Sequence, residues 1–174
     1  MIMEFQNKPM KTVTILLTRY SDAFGTFICG ISKNKYSHAS ISIDGKEEIF
    51  YSFNYKGFVV EKPKKYKPKL RRPGSICIRM QVPEETYQEI QNEIQLFLNK
   101  KETLKYSRLG VILCLLHIPY KFENKYFCSQ FVAEILAKAG AIELQKKESL
   151  YLPGQLLDGI EGCFGPKQII YNAI

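Results

Sequence analysis

Two side chains in this sequence have the types needed to carry out nucleophilic chemistry together: Cys128 and His38. In CSQFVAEILAKAG, the residues Phe131, Val132, Ile135, Leu136 and Ala139 recur at helical spacing after Cys128. The cysteine therefore belongs to the buried stripe of a predicted helix and sits in its first turn. Unpaired N–H groups and the positive end of the helix dipole favour an anion there, and the thiolate is the nucleophilic form of cysteine. The plainer reading is a core cysteine that happens to begin a helix. In YSHASISID, strict alternation puts His38, Ser40 and Ser42 on one strand face and Ala39, Ile41 and Ile43 on the other. The serines are small, so a helix could approach that face closely. A Cys128 helix packed across it would bring sulfur within hydrogen-bond reach of the imidazole. The plainer reading is an exposed strand histidine. The second histidine, His117, lies in an apolar run near Pro119 and reads as structural.

A Cys/His pair ordinarily has a third group that holds the imidazole tautomer. The strand following the His38 strand is where it should lie. Ser52 is the best-placed polar residue there, followed by Asn54 and Glu48, which share its parity; Asp44 and Glu47 are nearer the turn.

The elements that must position these groups can be read from periodicity. Val13 to Thr18 is a β-branched run that predicts a strand. Residues 22–32 form a short helix or a loop that turns Phe24, Phe27 and Ile28 inward. Tyr36 to Ile43 predicts a strand, Asp44-Gly45 a hairpin turn, Glu48 to Asn54 the partner strand, and Phe58 to Val60 a third. Ser75 to Val82 alternates again, and Pro83 opens a helix over Glu84 to Asn99 with Tyr87, Ile90, Ile94, Phe97 and Leu98 on one stripe. Ser107 to Leu116 reads as a helix, buried to judge from the apolar run Leu109 to Ile118. The Cys128 helix ends at Gly140, a C-terminal cap, and the tail from Gln145 reads as loop. The expectation is an α+β fold in one domain over 1–174, with an antiparallel sheet of about five strands packed against helices.

Composition bounds the function classes. The chain has 174 residues, 45% of them hydrophobic and 24% charged, which is ordinary for a globular domain. No run approaches the roughly 18 apolar residues of a membrane span, and no export signal is visible, so a cytoplasmic location is expected. The five cysteines (29, 77, 114, 128 and 163) include no CxxC pair and no cluster at zinc spacing. They read as reduced thiols, and no metal or organic cofactor is implied. The net charge of +8 is concentrated in Glu61 to Gly74, with seven Lys or Arg against one Glu. That stretch, including Lys64, Lys65, Lys67, Arg71 and Arg72, reads either as a solvated loop or as a site for an anionic substrate or anionic lipid. A nucleic-acid partner is disfavoured, because only Tyr66 interleaves the charges and no recognition helix or RNP-type motif is present.

Taken together, YSHASISID, EIFYSF and the downstream YFCSQFVAEILAKAG, with the late segment YLPGQLL, resemble the circularly permuted NlpC/P60-type papain-like thiol hydrolases, in particular their uncharacterised bacterial members. In that group the histidine strand precedes the cysteine helix. The resemblance spans roughly residues 12 to 158. It implies a permuted papain-like fold, Cys128 as nucleophile, His38 as general base and Ser52 at the third polar position. Here the sequence departs from the group's pattern of His, Asn, Gln or Glu. Serine can accept the imidazole N–H bond but adds no charge. The resemblance also implies a tyrosine or backbone amide near the oxyanion, for which Tyr20 and the Cys128 N–H are the candidates. The implied chemistry is attack on an amide or ester carbonyl and a thioester intermediate, as in an amidase, a peptidase or a lipid acyl hydrolase or transferase. The competing reading is a non-catalytic binding module of the same fold that uses the basic loop to hold an anionic ligand, lipid or nucleic acid.

Overall fold

The computed structural model describes residues 9–19, 23–33, 35–63, 75–161 and 165–171. Among them the elements run in the order β1 (Met10–Thr18), α1 (Ala23–Ser32), β2 (His38–Ser42), β3 (Phe50–Asn54), β4 (Gly57–Glu61), β5 (Ile76–Pro83), α2 (Glu84–Asn99), β6 (Lys105–Tyr106), α3 (Arg108–Leu115), β7 (Lys125–Tyr126), α4 (Cys128–Lys138), α5 (Pro153–Glu161) and β8 (Lys167–Tyr171). Six strands form one antiparallel sheet in the order β4-β3-β2-β1-β5-β8, while β6 and β7 make a small parallel pair. The class is α+β, as the alternating and helical periods predict.

The sheet's centre is β1, which is buried from Val13 to Leu17. Its register on β2 (Leu17 opposite Ala39, Ile15 opposite Ile41) aligns the apolar residues of both strands on one face. That face receives α2 through Ile90, Ile94 and Phe97, and α4 through Phe131, Val132, Ile135 and Leu136, in one continuous core. Phe53, Phe58, Phe97 and Phe131 meet edge to face or tilted there, with ring centroids 4.8 Å apart for Phe97 and Phe131. Such pairs add to area burial because the ring edge meets the negative face of its neighbour. The other face holds a smaller apolar group, Leu16, Phe50 and Cys77.

Helix α2 spans the predicted residues, with Glu84 and Glu85 in its first turn where the dipole favours acids. Gly140 adopts φ 69°, the left-handed cap expected after α4. Other expectations need correction. The tail from Gln145 is not all loop: α5 and β8 form within it, and β8 pairs with β5 as an edge strand. β8 is short (KQIIY) and its apolar residues are only half-buried, so its alternation is weak. Residues 23–32 are helical, and of Phe24, Phe27 and Ile28, expected to turn inward, Ile28 does while Phe27 is 50% exposed. Phe24 has no described side chain. α3 is buried on one face only: Gly110, Val111 and Cys114 are buried, while Leu109 and Ile112 on it and Leu116 just beyond it are exposed. His117 ends that segment at φ 57° and is exposed rather than packed.

Candidate active site

Three segments remote in sequence converge on His38. The ring belongs to the first residue of β2 and is 3% exposed. Its Nε2 lies 3.1 Å from both carboxylate oxygens of Glu61, the last residue of β4. The Ser52 hydroxyl of β3 stands 3.3 Å from the same nitrogen. The Cys128 thiol, at the first residue of α4, lies close enough to the ring to raise its affinity for a proton. Cys128 is 3% exposed, and its Sγ lies 4.0 Å from the Ser37 carbonyl.

The strand registers explain the convergence. Ser52 lies opposite Val59, and Phe50 lies opposite Glu61, so Ser52 and Glu61 share parity across the β3–β4 hairpin. Glu61 reaches back over Ser52 toward the start of β2. The hairpin itself depends on Gly57, which adopts φ 101°; a Cβ there would sit 2.3 Å from the Leu104 carbonyl oxygen. α4 does not pack across the serine face as expected. It packs on the Ala39/Ile41 face, because its stripe of Phe131, Val132 and Ile135 is apolar and seeks the apolar side of the sheet. Cys128 still meets His38 because both are terminal residues, one opening a helix and the other opening a strand.

The electrostatics favour a charged imidazole. Burial, the largest influence, disfavours the cation. The hydrogen bonds and charges of Cys128 and then Glu61 more than offset it, and His38 is pushed up to about 10. Burial pushes Cys77 up to about 12 and Cys114 up to about 11, which keeps both protonated at neutral pH. Cys29, Cys77, Cys114 and Cys128 are all free.

At the start of α4, Phe127 occupies the N-cap in extended conformation without a side-chain capping bond, and the first intrahelical bond runs from Phe131 N–H to its carbonyl. The N–H groups of the first turn are therefore not used by the helix ladder. Among the described residues, the buried Ser40 Oγ, Ser129 Oγ and Gln130 Nε2 find no hydrogen-bond partner.

Of the residues predicted from sequence, the structure brings together Cys128, His38 and Ser52. Ser52 donates its proton to the Ala39 carbonyl at 2.6 Å, so its hydroxyl ties β3 to β2 as well as facing the ring. Asn54 instead accepts from the Lys56 N–H in the turn. Glu48 is exposed, with its N–H on the Asp44 carboxylate. Asp44 accepts from four successive backbone N–H groups, Lys46 to Ile49, which hold its carboxyl below the ordinary range against the opposing effect of burial. Glu47 is bound to Arg79, whose guanidinium likewise lowers it. Tyr20, Lys64, Lys65, Lys67, Arg71 and Arg72 lie outside the described residues.

Sequence reasoning missed Glu61. The apolar run Phe58 to Val60 ends one residue short of Glu61, whose charge reads with the basic stretch that follows. Carrying the alternation one residue further puts an acid on the parity of Ser52, which is the signal that could have found it. Among the described residues, no cluster of His, Cys, Asp and Glu has the makings of a metal site, and the chemistry available is that of a thiol, an imidazole and a carboxylate.

A scan against protein-family models found no match, and no curated protein matched the chain.

Proposed function

We propose that the protein is a cysteine hydrolase or acyltransferase of permuted papain-like fold, acting on an amide or ester through Cys128, His38 and Glu61. The observation that carries this reading is the single buried imidazole held between a thiol and a carboxylate. Supporting it are the chain order, with the histidine strand before the cysteine helix, and the uncapped first turn of α4. In this mechanism His38 already holds the proton taken from Cys128, and Glu61 holds that imidazolium by charge and hydrogen bonds. The thiolate attacks the carbonyl carbon, and N–H groups of the first turn of α4 donate hydrogen bonds to the oxygen on which negative charge develops. His38 then returns the proton to the leaving amine or alcohol. Water or another acceptor, deprotonated by His38, cleaves the thioester and restores the thiol.

Glu61 changes the weight of the two sequence readings. The binding-module alternative rests on the weak third residue and on the basic loop; Glu61 supplies a charge at the first, and residues 64–74 of the second lie outside the described residues. The test is acylation by a series of p-nitrophenyl acyl esters, followed by mass spectrometry of the intact protein. The expected result is nitrophenol release with a single acyl adduct on Cys128, absent in Cys128→Ala and in His38→Ala. Adducts spread evenly over several cysteines, or release that persists in Cys128→Ala, would contradict it.

A further inference from the structure

Seven of the twelve large apolar side chains exposed among the described residues lie on α1, on α3 or just after α3. Phe27 and Ile31 on α1 are 50% and 53% exposed, and Leu109, Ile112 and Leu116 on and just after α3 are 53%, 44% and 63% exposed. Ile118 and Tyr120 continue the series at 47% and 53%. The two helices belong together: Ile28 of α1 and Val111 and Cys114 of α3 share one small core with Leu152 and Phe127. Phe127 is the residue before Cys128. Apolar surface of this kind, concentrated on neighbouring elements, marks an interaction site rather than ordinary surface variation.

The charge around it selects the partner. Residues 23–33 and 108–122 contain no Asp or Glu. Exposed Lys33 and Lys35 follow α1, and exposed Arg108 opens α3. An apolar face edged by cations, with exposed Glu123 only beyond its end, complements the surface of an anionic bilayer, where acyl chains lie beneath negative headgroups. Among the described residues, no helix is long and apolar enough to cross a membrane, so the contact this face can make is interfacial. We infer that the exposed faces of α1 and α3 dock the protein on an anionic lipid surface, which places the start of α4 beside the bilayer. This inference stands on surface composition alone and does not require chemistry at Cys128.

The test is sedimentation of the full chain with vesicles of phosphatidylcholine, alone or doped with phosphatidylglycerol. It is run with Leu109→Gln/Ile112→Gln/Leu116→Gln, with Phe27→Gln/Ile31→Gln, and with Cys128→Ala. Binding to the doped vesicles is expected, with loss of at least about tenfold in partitioning for each apolar variant and no change for Cys128→Ala. Circular dichroism identifies a variant that fails to fold, and the other helix's variant then decides. No binding to doped vesicles overturns the inference. So does binding that the apolar variants leave unchanged, which would be charge attraction alone. A dimer in light scattering that the apolar variants dissolve, without vesicle binding, would assign the face to a second copy of the chain.

Discussion

At the scale of single residues, the site distinguishes two partners of one nitrogen. Ser52 and Glu61 both face His38 Nε2, but only Glu61 brings charge, and only Ser52 also ties its strand to the Ala39 carbonyl. The two should therefore fail differently. Glu61→Gln keeps the shape and removes the charge, so acylation of Cys128 by a p-nitrophenyl ester should slow on the order of 10²-fold. Ser52→Ala should leave that rate within a few-fold while lowering stability by about 1–2 kcal/mol, the cost of a buried carbonyl without its donor. Stopped-flow nitrophenol release and urea unfolding separate the two effects. Equal losses of rate in both variants would mean that Glu61 acts only by filling space.

At the scale of elements, the β3–β4 hairpin decides where Glu61 falls. Its turn closes on Gly57, whose positive φ and contact with the Leu104 carbonyl leave no room for a side chain. Gly57→Ala should cost about 2–4 kcal/mol, seen as a lower urea midpoint, and should slow Cys128 acylation in the protein that remains folded. An unchanged midpoint would show that the hairpin does not depend on this close approach. Helices and strands with strong periods were legible in the sequence: α2, β2 and the first turn of α4 need no more than spacing and caps. What could not be read was set by contacts distant in sequence. Glu61 joins the site through strand pairing, α4 chooses the apolar face of the sheet over the serine face, and β8 is stabilised by β5 rather than by its own pattern.

At the scale of the whole molecule, the sheet and α4 hold residues 38, 61 and 128 together, so the site's charge is linked to folding. His38 is raised to about 10 in the folded protein against about 6.5 in the unfolded chain. The folded state keeps a proton that the unfolded chain releases. The resulting stabilisation is full below about pH 6.5 and is lost as pH rises toward about 10. Equilibrium unfolding across that range should show wild-type stability falling with pH, and Glu61→Gln should show a shallower fall. A stability that rises over this window with no difference between the two would contradict a charged His38 held by Glu61. The most direct test of the central arrangement reads all the thiols at once: iodoacetamide labelling at neutral pH, resolved by cysteine with mass spectrometry, in wild type, His38→Ala and Glu61→Gln. The account predicts that Cys128 reacts fastest despite its burial, that Cys77 and Cys114 stay slow, and that both substitutions slow Cys128 alone. Labelling of Cys128 at the pace of Cys114, unaffected by either substitution, would contradict it.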